Sequence, residues 1–86
     1  MTSKETFEKA VADSKQLTSR PDNNTLLQLY SLYKQATEGD AAGDGPSNPF
    51  DFVAKAKFNA WEKLKGITAD DAMAQYVAIV EKLKGA

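Results

Sequence analysis

Lys57 stands where the pattern around it asks for an apolar residue. It lies four positions after Val53 and four before Trp61, on a helical stripe with Ala60 and Leu64. A charge inside such a stripe must snorkel to water along its methylene stem or meet a partner. The second option is a cation that holds an anion at the edge of an apolar groove. Lys34 repeats the theme. It follows Tyr30 by one turn and shares a helix flank with Leu27, so the row grades from apolar to cationic within about ten ångström. The plain counterpart is the edge of an ordinary amphipathic helix. Lys15 flanks an apolar face in the same way, beside Val11. A ligand with a greasy end and a phosphate end would match these rows. Three tyrosines offer rings for stacking and hydroxyls for hydrogen bonds. Tyr33 and Tyr76 fall mid-stripe, where core packing is the expected role, and Tyr30 is nearer an edge.

Catalytic chemistry is poorly provided for. The chain has no histidine and no cysteine, so a triad with a histidine base, a zinc site of the His/Cys kind and a disulfide are all excluded. Asp70 and Asp71 fall at the start of a helix, where the helix dipole accounts for them. No Gly-rich phosphate loop is present. Asp40, Asp44, Gly45 and Asp51 occupy part of an EF-hand register, but Ala42 and Pro46 stand at ligand positions and the last ligand is not Glu. The expectation is a protein that is not an enzyme and takes no cofactor and no metal.

Charge and hydropathy narrow the partners. Lys and Arg total 11 against 12 Asp and Glu, a balance unlike that of a generic nucleic-acid binder. It leaves room for a small anion held by a few placed lysines. No apolar run approaches the ~18 residues of a membrane span, and the N-terminal residues lack the apolar stretch of a secretory signal. The expected protein is cytoplasmic and does not insert stably into membranes.

These side chains need helices to position them. Four amphipathic segments are predicted and no strand. The first covers about residues 4–17, with Phe7, Ala10, Val11, Ser14 and Leu17 on one face. The second covers about 23–37, with Asp22 or Asn23 as its cap and Leu26, Leu29, Tyr33 and Ala36 as its stripe. A Gly- and Pro-rich loop occupies 38–49. The third segment runs from about 51 to 64, and the fourth starts after Thr68 with the cleanest period in the chain, from Ala69 to Leu83. The 86 residues suit one domain, 1–86, an all-α four-helix bundle. The long loop argues against a simple up-down-up-down order.

The segment Tyr30-Ser31-Leu32-Tyr33-Lys34-Gln35-Ala36-Thr37-Glu38-Gly39-Asp40 closely resembles the signature of the acyl-CoA-binding protein family. Asp51-Phe52, the stretch from Lys55 to Gly66, and Asp71-Ala72-Met73 leading to Tyr76 resemble it too. The resemblance implies an up-down-down-up bundle that binds and transports medium- to long-chain acyl-CoA as a monomeric carrier and pool former. It implies that Tyr30, Lys34 and Lys57 hold the phosphate end, with Lys15 adding charge. Tyr33 and Tyr76 would contact the ligand body, and Val11 and Leu27 would line the apolar path. Three departures stand out: Phe58 where many members have Trp, a loop at 41–49 one residue longer than usual, and Val53 where some members carry Lys. The alternative reading is a helical protein-interaction module whose groove takes a partner helix.

Overall fold

The computed structural model describes residues 3–43, 45, 47–48 and 50–85. Among them are four helices and no strand: α1 (Lys4–Ser14), α2 (Asn23–Glu38), α3 (Phe52–Glu62) and α4 (Ala69–Gly85). Each start is capped by a residue suited to it. Ser3, Asp22 and Asp51 accept from the backbone N–H groups of Thr6, Thr25 and Ala54. At the head of α4, the Thr68 hydroxyl accepts from Asp71 N–H at 3.1 Å. Two helices stop short of their apolar stripes. In α1 the Lys15 and Gln16 N–H groups bond back three residues, to Ala12 and Asp13. In α3, Leu64 and Lys65 do the same, to Trp61 and Glu62. Both ends thus tighten into 3₁₀-type turns that satisfy the last carbonyls.

The helices run up, down, down, up. α1 packs on α4, α4 on α2, and α2 on α3. Because α2 and α3 run the same way, the chain must travel back between them, and residues 39–51 make that journey. The core comprises Phe7, Ala10, Leu29, Leu32, Ala36, Ala72, Tyr76 and Val80. It belongs to α1, α2 and α4 alone. α3 buries no residue fully, and its Phe52 and Val53 are 73% and 67% exposed. The apolar face of α3 is therefore a surface rather than a core stripe. Lys57 does not sit among buried side chains, as its sequence position implied.

α3 is held where it lies by polar contacts. The Trp61 indole N–H donates to the carbonyl of Gly39, the residue that ends α2, at 2.8 Å. Gln35, 1% exposed, donates to Asp40 Oδ1 at 2.7 Å and to the Ile67 carbonyl at 2.8 Å. The same Asp40 oxygen accepts from Gly66 N–H at 2.9 Å. One carboxylate thus ties the end of α2 to the turn between α3 and α4. Two residues of the EF-hand register, Asp40 and Asp51, are committed to this tie and to the α3 cap. Asp44 and Pro46 lie outside the described residues. Gly45 has φ 82°, and a Cβ there would lie 3.0 Å from the Phe58 ring. The loop backbone therefore lies close against α3, in a conformation that glycine adopts without strain.

The hydrogen bonds from Gly66 and Gln35 hold the Asp40 carboxyl below its usual range. A depressed carboxyl stabilises the fold above its unfolded pKa of about 3.9, and that contribution is lost as pH falls through the lower folded value. Asp40→Asn keeps an acceptor but removes the titration. It is expected to lower the urea midpoint at pH 6, with the gap to the parent closing below about pH 3. Urea unfolding across that range checks it. A gap independent of pH would show that the ionised form contributes nothing.

Candidate ligand-binding site

Tyr30 sits half-buried on the seam between α2 and α3, and two ammonium groups stand over its ring. Lys57 Nζ, from α3, is 5.1 Å from the ring centroid. Lys34 Nζ, one turn along α2, is 5.9 Å from it and 5.5 Å from the Trp61 ring. The geometry follows from the sequence spacing. An i, i+4 step brings Lys34 above Tyr30, and the same step puts Lys57 a turn before Trp61. Aromatic faces attract cations, so the rings offset part of the repulsion between two like charges. An anion settling between the ammoniums would remove the rest.

Around these three residues lies an open hollow of about 440 Å³, whose other walls are Asp51, Val53, Ala54, Phe58 and Trp61. Phe58 and Trp61 meet edge to face at 6.3 Å and form its apolar floor. Neither Phe58 nor Trp61 is among the residues expected at the site from the sequence, although the spacing that links Lys57 to Trp61 is enough to include the second. Lys34 is also paired with Glu38, the last residue of α2. The hydrogen bond that its ammonium donates to that carboxylate is the main reason it titrates above the ordinary lysine range. Among the described residues no carboxylate pairs with Lys57.

Two further troughs mark the surface, and one of them adjoins this point. One, about 670 Å³, shares Tyr30, Val53 and Lys57 with the hollow and runs past Leu27, Ala56 and Phe52 to Arg20. The other, about 400 Å³, lies between α1 and α2 over Met73, walled by Phe7, Val11 and Tyr33. Tyr33 is 41% exposed. It stacks on Phe7 at 6.0 Å rather than filling the core, as its mid-stripe position had implied. Tyr76 does fill the core, 4% exposed. Its hydroxyl hydrogen-bonds with Ser14 Oγ at 3.0 Å, and its ring meets Phe7 edge to face. Lys15 is exposed at the end of α1 and borders none of these hollows. The structure thus brings Tyr30, Lys34, Lys57 and Leu27 together. It places Val11 and Tyr33 in a separate trough and sets Lys15 and Tyr76 apart from both.

A helical bundle with paired cations beside an apolar trough suits one class of ligand, small molecules that join an anion to a hydrocarbon. Comparison with known proteins narrows the class. Residues 4–80 match the family model described as Acyl CoA binding protein. The acyl-CoA-binding protein of Dictyostelium discoideum is 49% identical over 80 residues, covering 91% of this chain and 92% of that one. The acyl-CoA-binding protein homolog 1 of Caenorhabditis elegans is 48% identical over 77 residues, covering 90% and 88%. The crystal structure of Oryza sativa acyl-CoA-binding protein 2 superposes with a TM-score of 0.87 at 34% identity, covering 94% of this chain and 87% of that one. The structure of the Moniliophthora perniciosa protein also gives 0.87, at 32% identity, covering 95% and 80%. The chain belongs to the acyl-CoA-binding protein family.

Lys57 is exposed and has no carboxylate partner among the described residues. Lys57→Met is therefore expected to leave the stability of the free protein within about 0.5 kcal/mol of the parent. Urea unfolding without ligand measures this. A loss above about 1 kcal/mol would mean that Lys57 anchors the fold instead of standing ready for an anion.

Proposed function

We propose that this chain binds medium- to long-chain fatty acyl esters of coenzyme A and carries them as a cytoplasmic monomer, without chemical turnover. The observation that supports this most strongly is the pair of ammoniums over Tyr30 at the mouth of an apolar trough. The ligand class has the same division, with phosphates at one end and a hydrocarbon chain at the other. On this reading a phosphate of the nucleotide part sits between Lys34 and Lys57, with the Tyr30 hydroxyl as a further donor. The chain then runs along the trough past Leu27, Ala56 and Phe52, which touches the phosphate site directly. Val11 and Tyr33 take the ligand body on the α1 side, and Lys15 adds charge. Tyr76 supports that wall through Phe7 and Ser14.

No helix among the described residues is long and apolar enough to cross a membrane. Two acidic side chains at the site are already engaged: Asp51, in the wall of the hollow, caps α3, and Glu38 pairs with Lys34. Neither is free to act as a general base, which favours holding the ligand over transforming it.

Calorimetric titration tests the reading. Each buried methylene is worth about 0.8 kcal/mol, so every two carbons should tighten binding up to ~15-fold until the trough is full. Equal affinity for butyryl- and palmitoyl-CoA would contradict an apolar path. Free palmitate, which lacks phosphate, is expected to bind at least about a hundred-fold more weakly than palmitoyl-CoA. Lys57→Met should weaken palmitoyl-CoA roughly ten- to a hundred-fold, the value of one charge-assisted hydrogen bond. It should weaken the dephospho ligand, which lacks the 3′-phosphate, much less. Equal losses for both ligands would remove Lys57 from the 3′-phosphate.

A further inference from the structure

Glu38 is hard to justify as a structural residue. It is the last residue of α2, where the carbonyl ends of the helix already carry partial negative charge. The last turn holds no basic residue to offset it. Its partner, Lys34, lies four residues earlier, and a Lys-then-Glu order is the weaker arrangement for such a pair. The pair is also solvent-exposed, with side chains 28% and 52% accessible, so it adds little to stability. A carboxylate at this place opposes local helix chemistry. Such exceptions are expected at functional positions.

What Glu38 does contact is half of the anion site. Lys34 reaches over Tyr30 and Trp61 while hydrogen-bonded to the Glu38 carboxylate. Lys57, whose ammonium also approaches the Tyr30 ring, has no such partner among the described residues. The two cations are therefore unequal in the free protein.

We infer that Glu38 is an internal competitor for the ligand's phosphate, which weakens binding and speeds release. The inference rests on the acyl-CoA reading. A phosphate taking Lys34 competes with the carboxylate for the same ammonium, and Glu38 is then beside a like charge as well as at the negative end of a helix. The lost pairing and the repulsion from the phosphate both raise the free energy of the bound state and not that of the free one. A carrier whose site is open on one side needs a route to release, and this device supplies one without moving the backbone.

Glu38→Gln tests it, with binding of palmitoyl-CoA and dephospho-palmitoyl-CoA measured by calorimetry and dissociation by stopped flow. The expected result is binding about two- to five-fold tighter, mostly through slower dissociation, given the strength of exposed charge pairs. The gain should shrink for the dephospho ligand and in a Lys34→Met background, where there is no ammonium to compete for. Parental affinity and dissociation rate in Glu38→Gln, with palmitoyl-CoA still bound, would overturn the inference alone. So would a gain of equal size for both ligands and in both backgrounds, since the effect would then not pass through Lys34. If the parent itself does not bind palmitoyl-CoA, the acyl-CoA reading falls and the inference with it.

Discussion

The carboxylate of Asp40 is the constraint on which the binding surface depends. α3 contributes no buried residue to the core, so burial alone cannot fix its position against α2. Asp40 joins the buried Gln35 of α2 to Gly66 in the turn that follows α3. The Trp61–Gly39 hydrogen bond adds a second tie close by. Both ties join the C-terminal part of α3, or the turn after it, to the end of α2, and leave its N-terminal part, with Phe52 and Val53, open. Distances at the site follow from this. Lys57 approaches the Tyr30 ring only because α3 is held alongside α2. Gln35 meets its own limit there, since its Oε1 is buried without a partner.

Apolar surface left uncovered is costly to keep in water. In this chain it is concentrated beside the cations. Phe52, Val53 and Leu27 line the same trough that Lys57 closes at one end. Burying them in an ordinary fourth-helix core would remove the trough, and leaving them exposed beside neutral side chains would invite non-specific association. Placing two ammoniums at the mouth favours partners that join hydrocarbon to anion. Both walls stand on helices capped at their starts, α2 and α3, which pack on each other.

Much of this was legible in the chain. The apolar periods located all four helices, and Asp22 and Thr68 marked two of their starts. Leu27, Tyr30 and Lys34 could be placed in one row because helical geometry leaves no alternative at those spacings. Other features could not be read in that way. The stripe of α3 looked like a core stripe because periodicity reports an apolar face and not what covers it, so Val53 and Lys57 were placed inside. Tyr33 falls mid-stripe, where core packing is the plain expectation, and it stacks on Phe7 at the surface instead. The early ends of α1 and α3 depend on 3₁₀ bonding that composition does not reveal. Asp40 looked like a loop residue, and only the fold brings Gly66 to it from 26 positions away. The resemblance to a known family supplied what periodicity could not, namely the parallel order of α2 and α3.

The central claim is that two lysines from different helices share one anion across the Tyr30 ring. A crystal structure of the complex with palmitoyl-CoA tests it most directly. The account predicts a phosphate within hydrogen-bonding distance, about 2.7–3.1 Å, of both Lys34 Nζ and Lys57 Nζ, with the acyl chain against Leu27. A phosphate bound by lysines elsewhere, with Lys34 still paired to Glu38 and the Tyr30 face empty, would contradict it.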